Sequence, residues 1–158
     1  MSVKVRALVV DDSAVMRKMV MRSLTQAELA DFEFTEAADG ADALQKFQEQ
    51  PFEIAFIDWN MPNMTGYELV CAIRKWESEH GYQPIPLVMV TSEKTMGKMQ
   101  QALDEGGADA YIAKPFTVEE LQSKLRKCAA RARELAEAGG ARQPAQASSG
   151  GLFKRLFG

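Results

Sequence analysis

Short apolar runs alternate with amphipathic stretches along most of this chain. Apolar or β-branched runs predict strands at residues 5–10, 33–37, 54–57, 87–90 and 110–112. Between them, apolar residues recur at spacings of three and four. These spacings predict helices at residues 14–26, 41–49, 67–79, 96–105 and 118–138. Five strand–helix alternations predict an α/β fold in which helices cover both faces of a doubly wound, five-stranded parallel sheet.

The composition changes after residue 138. Residues 139–151, GGARQPAQASSGG, consist mainly of Gly, Ser, Ala, Gln and Pro, which predicts a flexible linker. The chain ends in LFKRLFG, residues 152–158, a short amphipathic motif whose four large apolar side chains would share one face of a helix: Leu152, Phe153, Leu156 and Phe157. Two interpretations remain open, a disordered terminus or a docking peptide for a partner protein or a membrane surface.

Length, charge and composition exclude several classes of function. The 158 residues are 46% hydrophobic and 26% charged, which is typical of one globular domain. The net charge of −3 argues against a nucleic-acid partner, since such surfaces are usually basic. Two cysteines do not form a disulfide framework. The N-terminus is not typical of a signal peptide and no apolar run is long enough to span a bilayer, so we expect a cytoplasmic protein.

Polar side chains close four of the five predicted strands. Asp11 and Asp12 follow the first strand, Asp58 the third and Thr91 the fourth, while the fifth runs into Lys114. Because parallel strands end at one edge of the sheet, where α/β proteins bind ligands, we expect these five side chains to lie together. Three carboxylates would repel one another, and Mg²⁺, which prefers oxygen ligands, would offset that repulsion. With the positive charge of Lys114, this set favours phosphoryl transfer, in which a carboxylate can be the nucleophile.

Each of these residues has a simpler explanation when it is taken alone. An Asp-Asp pair before a helix can be an N-cap followed by a first-turn charge, and Asp58 lies in a segment rich in turn formers. Their joint placement at strand ends is what favours a site.

Four segments also resemble a known family: VVDDS, FIDWNMPNMTGYEL, PLVMVTSE and GADAYIAKPF. Together they are similar to the receiver domain of two-component response regulators, most closely the single-domain chemotaxis (CheY-like) type, over about residues 4–130. The resemblance implies a receiver domain at residues 1–130 and a flavodoxin-like sheet with the strand order 2-1-3-4-5.

The resemblance implies a role for each residue of the acidic site. Asp58 resembles the phosphoacceptor, and Lys114 resembles the lysine that pairs with the phosphoryl group. Asp12, Asp58 and the backbone carbonyl of Asn60 resemble direct Mg²⁺ ligands, while Asp11 resembles a ligand that acts through water.

The resemblance also implies a switch. Thr91 resembles the hydroxyl that turns to bond a phosphoryl oxygen, and Tyr111 resembles the aromatic that moves inward with it. Asn60 and Glu93 occupy the two positions that tune dephosphorylation in the family, and the peptide bond before Pro115 is cis in the family. A histidine kinase would be the phosphodonor of this phosphoprotein.

The implied output is controlled binding to another protein. Phosphorylation would change the surface formed by the fourth predicted helix (residues 96–105), the fifth strand (residues 110–112) and the fifth helix (residues 118–138). An output protein in chemotaxis, motility or a related pathway would recognise this surface. Such a protein catalyses its own phosphorylation and dephosphorylation and is not a turnover enzyme. A Mg²⁺-dependent hydrolase with an Asp nucleophile is a second hypothesis, disfavoured because Asn60 stands where such enzymes carry a second acid. A passive scaffold is a third, disfavoured because every residue of the acidic pocket is present.

Overall fold

The computed structural model describes residues 3–92 and 107–142, in which strands and helices alternate. The elements are β1 (Lys4–Val10), α1 (Ala14–Ala27), β2 (Asp31–Ala37), α2 (Gly40–Glu49), β3 (Ile54–Asp58), α3 (Gly66–His80), β4 (Leu87–Ser92), β5 (Ala110–Lys114), α4 (Val118–Lys124) and α5 (Arg126–Glu137). The helix predicted at residues 96–105 lies outside the described residues. The last predicted helix is divided into α4 and α5 at Leu125, whose φ of −104° and ψ of 5° interrupt the regular helix.

The five strands form one parallel sheet in the order β2-β1-β3-β4-β5. This confirms both the α/β architecture and the flavodoxin-like strand order. The register aligns Val10 of β1 with Ile57 of β3, Asp58 of β3 with Val90 of β4, and Ser92 of β4 with Lys114 of β5. The carboxyl ends of β1, β3, β4 and β5 therefore lie side by side.

The sheet separates two hydrophobic clusters, because successive side chains of a strand point to opposite faces. On one face, strand residues such as Leu8 and Ile57 pack with Phe47 of α2 and Leu69 of α3. On the other face, residues such as Val9 and Phe56 pack with residues of α1, α4 and α5, including Val20, Leu121 and Ala132. All five residues of β3 are buried, as expected for the central strand of a sheet that is covered on both faces.

The chain after α5 differs from the predicted linker over residues 139–142. Gly139 and Gly140 have φ values of 98° and 107°, and their N–H groups donate to carbonyls of the last turn of α5. Ala141, only 2% exposed, follows this turn, and its carbonyl accepts a hydrogen bond from the backbone N–H of Gln83 at 3.0 Å. These residues therefore pack on the domain, while residues 143–158, with the rest of the predicted linker and the C-terminal motif, lie outside the described residues.

In the described residues, no helix combines the length and the apolar character that crossing a membrane requires.

Candidate functional site

Three carboxylates meet at the carboxyl edge of the sheet. Asp11 and Asp12 directly follow β1, and Asp58 is the last residue of β3, the strand that pairs with β1. One oxygen from each carboxylate lies within 4.8 Å of the other two. Asp11 and Asp58 are buried, whereas Asp12 is exposed. The structure thus brings together the three acids that the sequence placed at strand ends, with one of them open to solvent.

Lys114 reaches this cluster from β5, the last strand in the order of the sheet. It ends β5, and its Nζ lies 3.2 Å from Asp11 Oδ2 and 3.2 Å from Asp58 Oδ1. The side chain is 20% exposed, so its charge acts largely inside the protein. The following peptide bond, Lys114–Pro115, is cis. A single ammonium group therefore bridges the two buried carboxylates.

The electrostatics of the cluster leave Asp58 with an excess of unfavourable interactions. Burial raises the pKa of the Asp58 carboxyl above its ordinary value, the charge of Lys114 lowers it, and the charge of Asp11 raises it again. The net direction of the pKa is upward, so one lysine does not fully compensate the buried negative charge. A divalent cation would compensate this charge. Three carboxylate oxygens within reach of one ion are the donor type that Mg²⁺ prefers.

Arg17 holds the backbone at Asp11. Its Nη1 donates to the carbonyl of Asp11 at 2.7 Å, and its Nε donates to Glu36 Oε1 at 2.8 Å. The N–H of Ser13 adds a 2.9 Å hydrogen bond to Asp11 Oδ1. Sequence reasoning missed Arg17, although one signal was available. A cation in the first turns of a helix opposes the helix dipole, so it is expected to have a partner elsewhere.

The loop after Asp58 depends on a close approach of two backbones at Gly66. Its N–H donates to the carbonyl of Trp59 at 2.9 Å. A Cβ at this position would lie 2.3 Å from the carbonyl oxygen of Asp58, too close for any other residue without a backbone shift. Gly66 was also missed as a site residue. Asn60, two residues after Asp58 in the same loop, is exposed.

Thr91 and Tyr111 share one face of the sheet. Thr91 is fully buried in β4, two residues after Met89, so both side chains point to the same face. Tyr111 of β5 is partly buried and packs against the cluster that contains Met89. The register pairs Met89 with Tyr111, one step from Thr91 along the same face. Thr91 and Tyr111, the predicted switch pair, are therefore diagonal neighbours on one face of the sheet, while Glu93 lies outside the described residues.

Comparisons with known proteins agree with this fold. Residues 7–126 match the family model described as the response regulator receiver domain. A chemotaxis protein CheY homolog of Campylobacter jejuni is 37% identical over 121 residues, which cover 76% of this chain and 88% of that protein. Among solved structures, the chemotaxis protein CheY4 of Vibrio cholerae aligns with a TM-score of 0.67 and 36% identity, covering 79% of this chain and 98% of that one.

A further solved structure contains a metal. The receiver domain of the sensor histidine kinase PA1611 from Pseudomonas aeruginosa has a magnesium ion coordinated in its active-site cleft. It aligns with a TM-score of 0.66 and 25% identity, covering 80% of this chain and 98% of that one.

Proposed function

This chain belongs to the response regulator receiver domain family, and from that membership we propose that Asp58 accepts a phosphoryl group in a Mg²⁺-dependent reaction. A histidine kinase would be the donor. The observation that carries this proposal is the position of Lys114 Nζ, 3.2 Å from both Asp11 and Asp58. Transfer of a phosphoryl group needs positive charge where the oxygens of that group arrive, and Lys114 is already there.

Each residue at this edge would have its own role in the transfer. A carboxylate oxygen of Asp58 attacks the phosphorus of a phosphohistidine, the P–N bond breaks as the P–O bond forms, and the departing imidazole takes up a proton. Asp11, Asp12, Asp58 and the backbone carbonyl of Asn60 would hold Mg²⁺. When bound, the ion neutralises charge on the phosphoryl oxygens. Lys114 would turn from the Asp58 carboxylate to the new phosphoryl group and stay within reach of Asp11.

We propose that Thr91 reads the phosphorylated state. A phosphoryl group adds negative charge and acceptor oxygens at the end of β3, next to the end of β4. The hydroxyl of Thr91 would turn to donate to one of these oxygens, and Tyr111 would follow along the shared face of the sheet. The surface formed by β5, α4, α5 and residues 96–105 would then bind an output protein in chemotaxis, motility or a related pathway.

The phosphorylated state should be short-lived. Asn60 and Glu93 are polar residues at the positions that control water near the phosphoryl group in this family. Each molecule would thus gain and lose its own phosphoryl group and would not turn over a separate substrate. Intact mass followed over time at neutral pH measures the decay, and a phosphorylated form that persists for hours would contradict this assignment.

Phosphorylation by a small donor tests the assignment of Asp58. The wild-type protein with acetyl phosphate and Mg²⁺ should gain the mass of one phosphoryl group, and a chelator should prevent the gain. Asp58→Asn should not gain it. Asp31→Asn, which removes an acid at the opposite edge of the sheet, is the matched control and should behave like wild type. A full phosphoryl mass on Asp58→Asn would refute the assignment.

A further inference from the structure

The edge of the sheet opposite Asp58 holds the guanidinium group of Arg142 among three aromatic rings. The carbon Cζ of Arg142 lies 4.7 Å from the ring centroid of Trp76, 5.5 Å from that of Tyr82 and 5.8 Å from that of Phe47. Guanidinium groups within about 6 Å of aromatic faces are attracted by the ring quadrupole. The rings also contact one another, since Trp76 packs edge-on against Phe47 and beside Tyr82.

The same guanidinium also donates hydrogen bonds to backbone carbonyls at the C-terminal end of α2. It donates to the carbonyl oxygens of Phe47, Gln48 and Gln50, which belong to the last turn of the helix and its C-cap. Carbonyls at a helix C-terminus have no partner within the helix and carry partial negative charge. Helix α2 has no glycine cap there, because its C-cap is Gln50 in an extended conformation with φ −143° and ψ 151°. Arg142 therefore supplies from outside the cap that the helix does not contain.

The approach of the chain to this pocket is also fixed. Gly140 combines a φ of 107° with a close approach to Arg6, whose Nη2 would lie 2.8 Å from a Cβ at that position. Because of this φ, a residue other than glycine would be strained in this turn. The turn leads to Ala141, which is buried and hydrogen-bonded to Gln83 next to the ring of Tyr82. The turn and the buried alanine therefore hold the chain where Arg142 lies among the aromatic rings.

We propose that this end of the domain is an arginine-binding site, made by Phe47, Trp76, Tyr82 and the last carbonyls of α2, and occupied by Arg142 of the same chain. This inference goes beyond the proposed phosphorylation, because the site is at the opposite edge and uses none of its residues. The residues that form the site lie within the segment that matches the receiver family, residues 7–126, whereas Arg142 lies outside it. The site fixes the root of the C-terminal extension at the edge of the sheet away from Asp58.

Fluorescence of Trp76 provides a direct test. The chain has two tryptophans, so Trp59→Phe leaves Trp76 as the reporter in the full-length protein. In this background Arg142→Ala should change the Trp76 emission and should make the backbone amides of the last turn of α2 exchange about fivefold faster or more. Arg142→Lys keeps the charge without the planar fork and should give a smaller change. Arg126→Ala, which removes an exposed arginine of α5, is the control and should match the parent protein.

Addition of a ligand in trans tests binding separately from stability. N-acetyl-arginine amide at millimolar concentration should return the Trp76 emission of Arg142→Ala toward the parent spectrum, and the uncharged citrulline compound should not. The proposal is overturned if Arg142→Ala and Arg126→Ala give the same emission and the same exchange. It is equally overturned if the arginine and citrulline compounds act alike.

Discussion

Replacing Asp58 with Asn should stabilise the folded protein at neutral pH when Mg²⁺ is absent. The substitution keeps the shape of the side chain and removes one charge from a cluster in which three carboxylate oxygens lie within 4.8 Å. Lys114 keeps a partner in the variant, because its Nζ also lies 3.2 Å from Asp11. The change therefore relieves the burial of a carboxylate without leaving the lysine unpaired.

The expected size of the gain follows from the distances around Asp58. At an effective dielectric constant of about 20, attraction by Lys114 at 3.2 Å contributes about 5 kcal/mol, and repulsion by Asp11 at no more than 4.8 Å costs at least about 3.5 kcal/mol. No more than about 1.5 kcal/mol then remains in favour of the charged form. Burial of a carboxylate costs several kcal/mol, which exceeds this remainder. We therefore expect a net gain of about 1–3 kcal/mol, or about 2–4 °C in Tm for each kcal/mol.

The pH dependence has a definite sign. Burial raises the pKa of Asp58 above its ordinary value of 3.8. Between pH 3.8 and the raised pKa, the folded state therefore holds a proton that the unfolded chain has already released. The penalty on wild type is absent below pH 3.8 and complete once the pH exceeds the raised pKa. The advantage of Asp58→Asn should therefore be largest near neutrality and should shrink as the pH falls toward 3.8.

Urea unfolding from pH 4.5 to 8, with a chelator and then with Mg²⁺, measures these effects. Mg²⁺ should stabilise wild type, by about 2.7 kcal/mol at a hundred times its dissociation constant, and should stabilise Asp58→Asn much less. Asp31→Asn is again the control and should show neither the gain nor its pH dependence. The reasoning fails if Asp58→Asn is less stable than wild type at pH 7 without Mg²⁺, or if its advantage is the same at every pH.

Other substitutions test neighbouring parts of the structure. Gly66→Ala should cost about 2–4 kcal/mol in urea unfolding, from overpacking against the Asp58 carbonyl and strain on one hydrogen bond; a loss under 0.5 kcal/mol would contradict that contact. Thr91→Ala should still be phosphorylated but should lose most of the difference in partner affinity between the two states, measured by titration; an unchanged ratio would exclude this relay to Tyr111. Deletion of residues 152–158 should leave the phosphorylation rate unchanged and weaken localisation or partner binding, and unaltered signalling in cells would favour the disordered interpretation.

The acidic site could be predicted from the sequence because it depends on topology more than on packing detail. Once the alternation of elements indicates a parallel sheet, every strand end lies at one edge, so Asp11, Asp58 and Lys114 must be near one another. The residues that hold this site in place could not be predicted in the same way. The partners of Arg17, which are the Asp11 carbonyl and Glu36, depend on how α1 and β2 are placed beside β1.

The pair Gly139–Gly140 shows why composition predicted a linker at residues that pack on the domain. Glycine is favoured both in flexible linkers and at positive φ after a helix, so composition alone does not distinguish the two. What decides here is the chain that follows, since Ala141 and Arg142 find a buried position and a set of aromatic rings. These partners come from α2, α3 and the segment after α3, far away in the sequence.

One physical rule relates the two ends of the sheet. In a parallel α/β fold the helices run back against the strands, so helix N-termini lie at the carboxyl edge and helix C-termini at the opposite edge. Helix dipoles therefore favour negative groups at the first edge and positive groups at the second. Asp58 and an incoming phosphoryl group fit the first environment, and Arg142 at the end of α2 fits the second. At the end of α2, where the C-cap Gln50 is not a glycine, a distant cation supplies the missing partners, as a metal would at the strand-end carboxylates.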